Sequence, residues 1–192
     1  MLASITPLGE RGRGSRWEVT VVAHVLGATV GGAVLGAVLG SAGLALEGGE
    51  NWRLGVLAAV AAAALMLDLG PVHVPGPNRQ VNERWLDEYR GWVYGLGFGT
   101  QLGLGVTTIV SSAATYVALA AAFLAGGPGS GAIVMGAFGL VRGLTLLTGA
   151  AVRRPDQLVS LHRRLARMRR PVWIAGRVLL AAVSMTAVVS LL

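Results

Sequence analysis

Five long apolar segments, separated by short polar ones, constrain this chain more than any other feature of its sequence. A transmembrane helix needs about 20 apolar residues, and only 13% of the residues here are charged, about half the usual share of a soluble domain. The sequence therefore predicts an all-α fold, a polytopic transmembrane helix bundle of about five spans in a single integral membrane domain covering residues 1–192. The predicted spans are residues 17–46, 54–70, 92–125, 131–152 and 172–192.

Two of the predicted spans, 17–46 and 92–125, are too long for straight helices perpendicular to the bilayer. A helix rises about 1.5 Å per residue, so we expect each to tilt strongly or to contain a break. For 92–125, one broken helix and two separate segments are both open. Residues 1–16 contain no apolar stretch and form a predicted cytoplasmic tail. The segment after them is too long for the core of a signal peptide and lacks a clear cleavage site.

The distribution of arginine predicts the orientation. All 16 basic residues are arginine, and they are concentrated in residues 1–16, 71–91 and 153–171. Loops rich in arginine stay in the cytoplasm, so five crossings put the N-terminus inside and the C-terminus outside. The arginine-rich, lysine-free composition suggests a GC-rich genome and favours a bacterial inner membrane. Because the arginines fall where orientation signals belong, the net charge of +7 does not predict nucleic-acid binding.

Residues 155–170 combine leucines at helical spacing with arginines on the remaining positions. Pro155 suits the first turn of a helix, and Pro171 is expected to stop it. We expect an amphipathic helix in the membrane interface, where arginines bind anionic lipid headgroups. Docking of an acidic partner is the alternative. The arginines assigned to lipid headgroups are Arg163, Arg164, Arg167 and Arg170.

Glycines recur at four-residue spacing in the first and third apolar segments. Such a ladder lets two helix backbones approach closely in lipid. The alternatives are a flexible stretch lining a path and a homodimer seam. The glycines assigned to helix packing are Gly32, Gly36, Gly40, Gly91, Gly95, Gly99 and Gly103.

Polar side chains inside apolar segments are costly in lipid and therefore mark candidate functional positions. Arg142 lies midway along the fourth segment and is expected to face a polar site or a buried subunit contact. For the hydroxyl groups of the third segment, bonding to their own backbone is the alternative. Asp68 and Arg177 are predicted to form an intramembrane ion pair. The residues assigned to a substrate path or buried polar contact are Gln101, Thr107, Thr108, Ser111, Ser112 and Arg142.

Several kinds of chemistry are not expected. The chain has no cysteine, which excludes disulfides and thiol redox relays. Its three histidines are far apart, so no metal site is expected. A nucleophile triad, a carboxylate pair and a phosphate loop are also missing. We therefore expect neither an enzyme nor a bound cofactor.

The stretch Tyr94–Leu147 combines a glycine-rich start, a Thr-Thr-Ile segment, small residues, a glycine turn and a Gly-x-x-Arg ending. It resembles the core of the CcdA/DsbD-type membrane proteins of the LysE transporter superfamily. Thr107 and Thr108 fall where that family has a Thr-Pro-Cys-like motif, and Gly139 and Arg142 fall at its ending.

This chain departs from the family in three respects: it lacks the cysteine pair and the proline beside it, and it has five predicted spans instead of six. The resemblance therefore implies a shortened, cysteine-free relative that moves or binds a small solute without thiol chemistry. The alternative is a non-catalytic accessory or assembly subunit of a larger membrane complex. The expected partners are the lipid bilayer with its anionic headgroups, and either a second copy of the chain or a larger complex.

Overall fold

The computed structural model describes residues 5–46, 48–70, 74–76, 84–105, 107 and 112–191. This part of the chain is helical and contains no strand, which confirms the predicted all-α class. The helices, in chain order, are α1 (Pro7–Gly12), α2 (Trp17–Gly43), α3 (Glu50–Leu69), α4 (Trp85–Glu88), α5 (Gly91–Leu104), α6 (Ala114–Leu124), α7 (Pro128–Leu144) and α8 (Pro155–Val189).

Within the described residues, four helical stretches are long and apolar enough to cross a membrane. They are Trp17–Gly43, Glu50–Leu69, Pro128–Gly149 and Pro155–Val189, the third of which includes a 3₁₀ turn after α7. The protein is therefore a helical membrane protein, as its composition predicts. The remaining predicted span, 92–125, forms two shorter helices, α5 with 14 residues and α6 with 11.

Helix α2 is the centre of the bundle and packs against α5, α6 and α7. Its contact with α5 contains glycine on both sides. A side chain at Gly99 or Gly103 would collide with the main chain of α2, and one at Gly27 would collide with the main chain of α5. Gly95 lies against Thr20 and Gly103 against Ala28, so α5 runs parallel to α2.

The contact of α2 with α7 is equally close but antiparallel. Gly36 meets the main chain of Gly131, whereas Gly139, two turns further along α7, meets that of Ala28. The seven predicted packing glycines thus lie on two contacts. Gly32, Gly36 and Gly40 face α7, and Gly91, Gly95, Gly99 and Gly103 face α2.

Helices α5 and α6 follow α2 one after the other in the same direction. The start of α5 lies beside Thr20, and a side chain at Gly43, the last residue of α2, would meet the main chain of Phe123 near the end of α6. The third apolar segment is therefore interrupted between its two halves. The predicted alternatives for this segment included such a break.

Helices α3 and α8 form an antiparallel pair on the side of the bundle. Leu180 of α8 packs against Ala61 and Ala64 of α3, and the Ser184 hydroxyl donates to the Ala58 carbonyl at 3.3 Å. The predicted stop at Pro171 is wrong, because α8 continues through this residue. The proline removes one backbone hydrogen bond, which membrane helices tolerate.

Arg53 connects the C-terminal ends of α2 and α6. Its guanidinium donates to the carbonyls of Leu124, Gly43 and Leu46 at 3.3, 3.5 and 3.4 Å. The last carbonyls of a helix have no partner within the helix. One side chain therefore satisfies the ends of α2 and α6 together.

Candidate functional site

The break after α5 begins at Gly105, which adopts a left-handed conformation with φ of 72°. Its amide donates to the Leu102 carbonyl at 3.2 Å and closes the last turn of α5. A Cβ atom built on Gly105 would lie 3.6 Å from Nη1 of Arg142 and 3.2 Å from Cγ2 of Thr115. The end of α5, the first turn of α6 and the Arg142 guanidinium therefore meet at this glycine.

Arg142 comes from α7, within one of the four candidate spans. Its guanidinium lies over the Phe138 ring, 5.3 Å from the ring centroid. Its Nη1 atom is buried and has no hydrogen-bond partner among the described residues. The two ion pairs of that part of the chain do not include Arg142 either. The carbonyl end of α5 carries a partial negative charge, which stabilises the cation without neutralising it.

Asp68, at the end of α3, caps the first turn of α6. Its carboxylate accepts hydrogen bonds from the Ser112 hydroxyl at 2.8 Å and from the Ala113 amide at 3.0 Å. A carboxylate is favourable at the positive end of a helix. Asp68 therefore holds the start of α6 against α3.

The predicted ion pair between Asp68 and Arg177 is not the contact that forms. The Arg177 guanidinium donates to the main-chain carbonyl of Asp68 and stacks on the Trp173 ring. The carboxylate of Asp68 bonds to α6 instead. The two residues are neighbours, as the sequence predicts, but the positive helix end takes the place of the arginine as the partner of the carboxylate.

Of the other predicted path residues, the structure describes Gln101, Thr107 and Ser112. The Thr107 hydroxyl donates to the Gln101 carbonyl at 2.7 Å, which is the backbone bonding given as the alternative for such hydroxyls. Ser112 lies on the other side of the break, with Asp68. Thr108 and Ser111 lie outside the described residues. No described hydrogen bond joins Arg142 to Gln101 or to the hydroxyl groups.

The predicted headgroup arginines lie on the first half of α8. All four side chains are exposed; they are Arg163, Arg164, Arg167 and Arg170. Within the described ranges, no group of three His, Asp or Glu side chains could hold a metal ion.

Sequence reasoning missed a buried acid at the other end of α5. Glu10 of α1 is fully buried. Its carboxylate accepts hydrogen bonds from the Tyr94 hydroxyl at 2.6 Å, from the Thr20 hydroxyl at 2.7 Å and from the Arg13 guanidinium at 2.6 Å. This cluster ties α1 to the starts of α2 and α5, in a region predicted to be only a tail.

The same cluster favours the charged form of Arg13. Burial alone lowers the pKa of Arg13, but the hydrogen bonds to Glu10 and Tyr94 outweigh it and raise the pKa above its ordinary value. A Thr-Pro start at Thr6 and Pro7 is a recognisable helix signal, and Thr6 does cap α1 through the Gly9 amide. No local signal predicts the burial of Glu10, because its partners come from distant helices.

Comparison with known proteins does not identify a family for this chain. No family model, curated protein or solved structure matches this chain.

Proposed function

We propose that this protein binds or moves a small solute within the membrane, at the break between α5 and α6, and that Arg142 contacts the solute. One observation carries the proposal: the buried Nη1 atom of Arg142 has no partner among the described residues, beside a helix that ends inside the bundle. An unneutralised cation in a transmembrane segment is costly. A solute that supplies a negative or strongly accepting group offsets that cost.

The proposal includes a fifth crossing formed by α5 and α6 together. Their lengths of 14 and 11 residues correspond to about 21 Å and about 17 Å, so neither crosses the roughly 30 Å hydrocarbon core alone. Placed end to end along α2, they cross it as a broken helix. Broken helices with their ends at mid-membrane hold the solute sites of many secondary transporters.

Five crossings also give an orientation. The starts of α2 and α5 and the chain after α7 lie at one end of the bundle, because the Leu8 amide of α1 donates to the Val152 carbonyl at 3.0 Å and Glu10 bonds Tyr94. This end carries the arginine-rich segments and is therefore cytoplasmic under the positive-inside rule. The resemblance to CcdA and LysE-type transporters agrees with a solute path and remains part of the proposal.

The test is solute flux in liposomes that contain the purified full-length chain. We expect uptake of at least one small anion among chloride, acetate and inorganic phosphate, in preference to potassium ions or glycerol. Arg142→Gln should lower that flux by about tenfold, the effect of losing one charged hydrogen bond, and Arg142→Lys should retain part of it. Arg170→Gln, an exposed change with the same loss of charge, is the matched control.

Two results contradict the proposal. One is wild-type protein that neither transports nor binds any solute class in the panel. The other is an Arg142→Gln variant whose flux equals that of the Arg170→Gln control.

An accessory subunit of a larger membrane complex is the second candidate, and the packing of α8 favours it. This helix packs mainly on α3, so its second half, including Val178, Leu179 and Met185, faces lipid in a lone subunit and has room for a helix of a partner. Native mass spectrometry of gently extracted membranes distinguishes the two. A stoichiometric larger partner supports the accessory role, whereas a lone monomer or homodimer supports the solute-binding protein.

A further inference from the structure

A cavity of about 460 Å³ opens at the same end of the bundle as the Glu10 cluster. It lies where the turn between α1 and α2 meets the turn between α4 and α5. Three arginines line it: Arg13, Arg16 and Arg90. The start of α5, fourteen residues before the break at Gly105, forms one wall, so this cavity is separate from the site beside Arg142.

The charges around the cavity are mainly positive. Glu88 is the one acid among the described residues that line it, and its side chain is exposed. Glu10 lies behind Arg13 and bonds to it at 2.6 Å, which offsets one positive charge and holds that guanidinium in place. Arg16 and Arg90 take part in no ion pair within the described part of the chain. Even with both acids counted, the cavity keeps a positive excess.

The backbone adds positive potential at the same place. Arg16 is the N-cap residue of α2 and Arg90 is that of α5, and neither helix start receives a side-chain cap. The first amides of a helix have no acceptor within the helix, and they carry the positive end of its dipole. The residues Arg16, Arg90, Gly91 and Trp92, which form these two starts, all line the cavity. Guanidinium groups beside free helix amides are the donor set that binds phosphate.

The aromatic side chains place this cavity at the level of lipid headgroups. Tyr89 and Trp92 line it and are each about half exposed. Aromatic residues of this kind gather where the hydrocarbon core meets the headgroups. The cavity also lies at the first residues of α2, a candidate transmembrane helix.

We propose that this cavity binds a phosphate group through Arg16, Arg90 and the free amides at the starts of α2 and α5. The phosphate belongs either to the headgroup of an anionic lipid or to a free phosphate ion, since both present the same oxygens. Arg13, fixed by Glu10, adds positive charge to the wall. The site gives this end of the bundle a specific anion contact, distinct from the exposed arginines of α8.

The test measures binding to the full-length chain in a neutral detergent, by the change in tryptophan fluorescence. One arm adds dihexanoyl phosphatidylglycerol below its micelle concentration, and the other adds inorganic phosphate. The double variant Arg16→Gln/Arg90→Gln should weaken binding by about tenfold, the effect of losing charge-assisted hydrogen bonds. The matched control is Arg11→Gln/Arg153→Gln, which removes two exposed arginines near the same end that do not line the cavity.

Saturation by the lipid at lower concentration than phosphate assigns the site to a headgroup, and the reverse order assigns it to the free ion. Binding of neither probe, or equal weakening in both double variants, overturns the proposal. Should the double variant not fold, Arg90→Glu serves instead, because this side chain is exposed and its replacement disturbs no packing. Unchanged binding in Arg90→Glu also overturns the proposal.

Discussion

Replacing Glu10 by glutamine tests whether the buried carboxylate holds α1 on the bundle. The substitution keeps the shape of the side chain but removes its charge and turns one acceptor oxygen into a donor. Three donors reach this carboxylate, from Tyr94, Thr20 and Arg13. The amide has one acceptor oxygen instead of two, so one of the hydroxyl groups must turn and accept from the new NH2 group, which rearranges the network. Arg13, whose side chain is only 22% exposed, also loses its counterion.

The size of the effect follows from these contacts. Hydrogen bonds to charged groups contribute about 1.5–3 kcal/mol and neutral ones about 1 kcal/mol. Weakening two such bonds and leaving a partly buried cation unpaired should cost about 3 kcal/mol in the free energy of unfolding. For a domain of this size, this corresponds to a melting temperature lowered by about 6–12 °C.

Thermal unfolding of the purified chain in detergent, followed by tryptophan fluorescence, measures this shift. Glu88→Gln is the matched control, since Glu88 is exposed and should change stability by less than about 0.5 kcal/mol. In a double-mutant cycle, Glu10→Gln and Tyr94→Phe should couple by more than about 1 kcal/mol, because the two side chains share a hydrogen bond. A melting temperature for Glu10→Gln equal to that of Glu88→Gln would refute the reasoning.

Three further changes test the packing and the helix ends. Gly103→Ala places a methyl group against the main chain of α2 and should lower the free energy of unfolding by about 1–3 kcal/mol, measured by thermal unfolding. The control is Gly176→Ala, whose methyl group meets no other atom and should leave stability unchanged or raise it. Equal effects of the two substitutions would contradict the close contact. Asp68→Ala should cost about 0.5–2 kcal/mol and speed hydrogen exchange at the start of α6, whereas unchanged exchange there would show that this cap is dispensable. Arg53→Met removes the hydrogen bonds to the ends of α2 and α6 and should lower the free energy of local unfolding there by about 1–2 kcal/mol. The loops that follow should then be cleaved faster by proteases, and wild-type cleavage rates would contradict this role of Arg53.

Hydropathy predicted the helical membrane class because the length of an apolar run is a local property. It did not predict where helices end, since this depends on single residues and on tertiary contacts. The left-handed Gly105 ends α5 inside an uninterrupted apolar segment. Conversely, α8 continues through Pro171, which the sequence predicts as a stop.

The polar sites likewise combine features that are visible in the sequence with features that depend on tertiary packing. The position of Arg142 within an apolar run was visible in the sequence, and so was the cost of placing it there. Its contact with Gly105, and the capping of α6 by Asp68, depend on the way α3, α6 and α7 pack. Glu10 and Tyr94 are separated by 84 positions, so no pattern along the chain could pair them.

The unbroken course of α8 has a geometric consequence. A helix of 35 residues is about 52 Å long, whereas a bilayer with its headgroup regions is about 40–45 Å thick. When the C-terminal turns of α8 lie at one surface of the membrane, its first turns extend past the opposite phosphates into water. The protruding part is about five to eight residues long at 1.5 Å per residue, and the arginines from Arg163 to Arg170 follow it at the level of the headgroups. Soluble molecules can reach these first turns of α8 without entering the lipid, so the helix gives the chain a contact point in water.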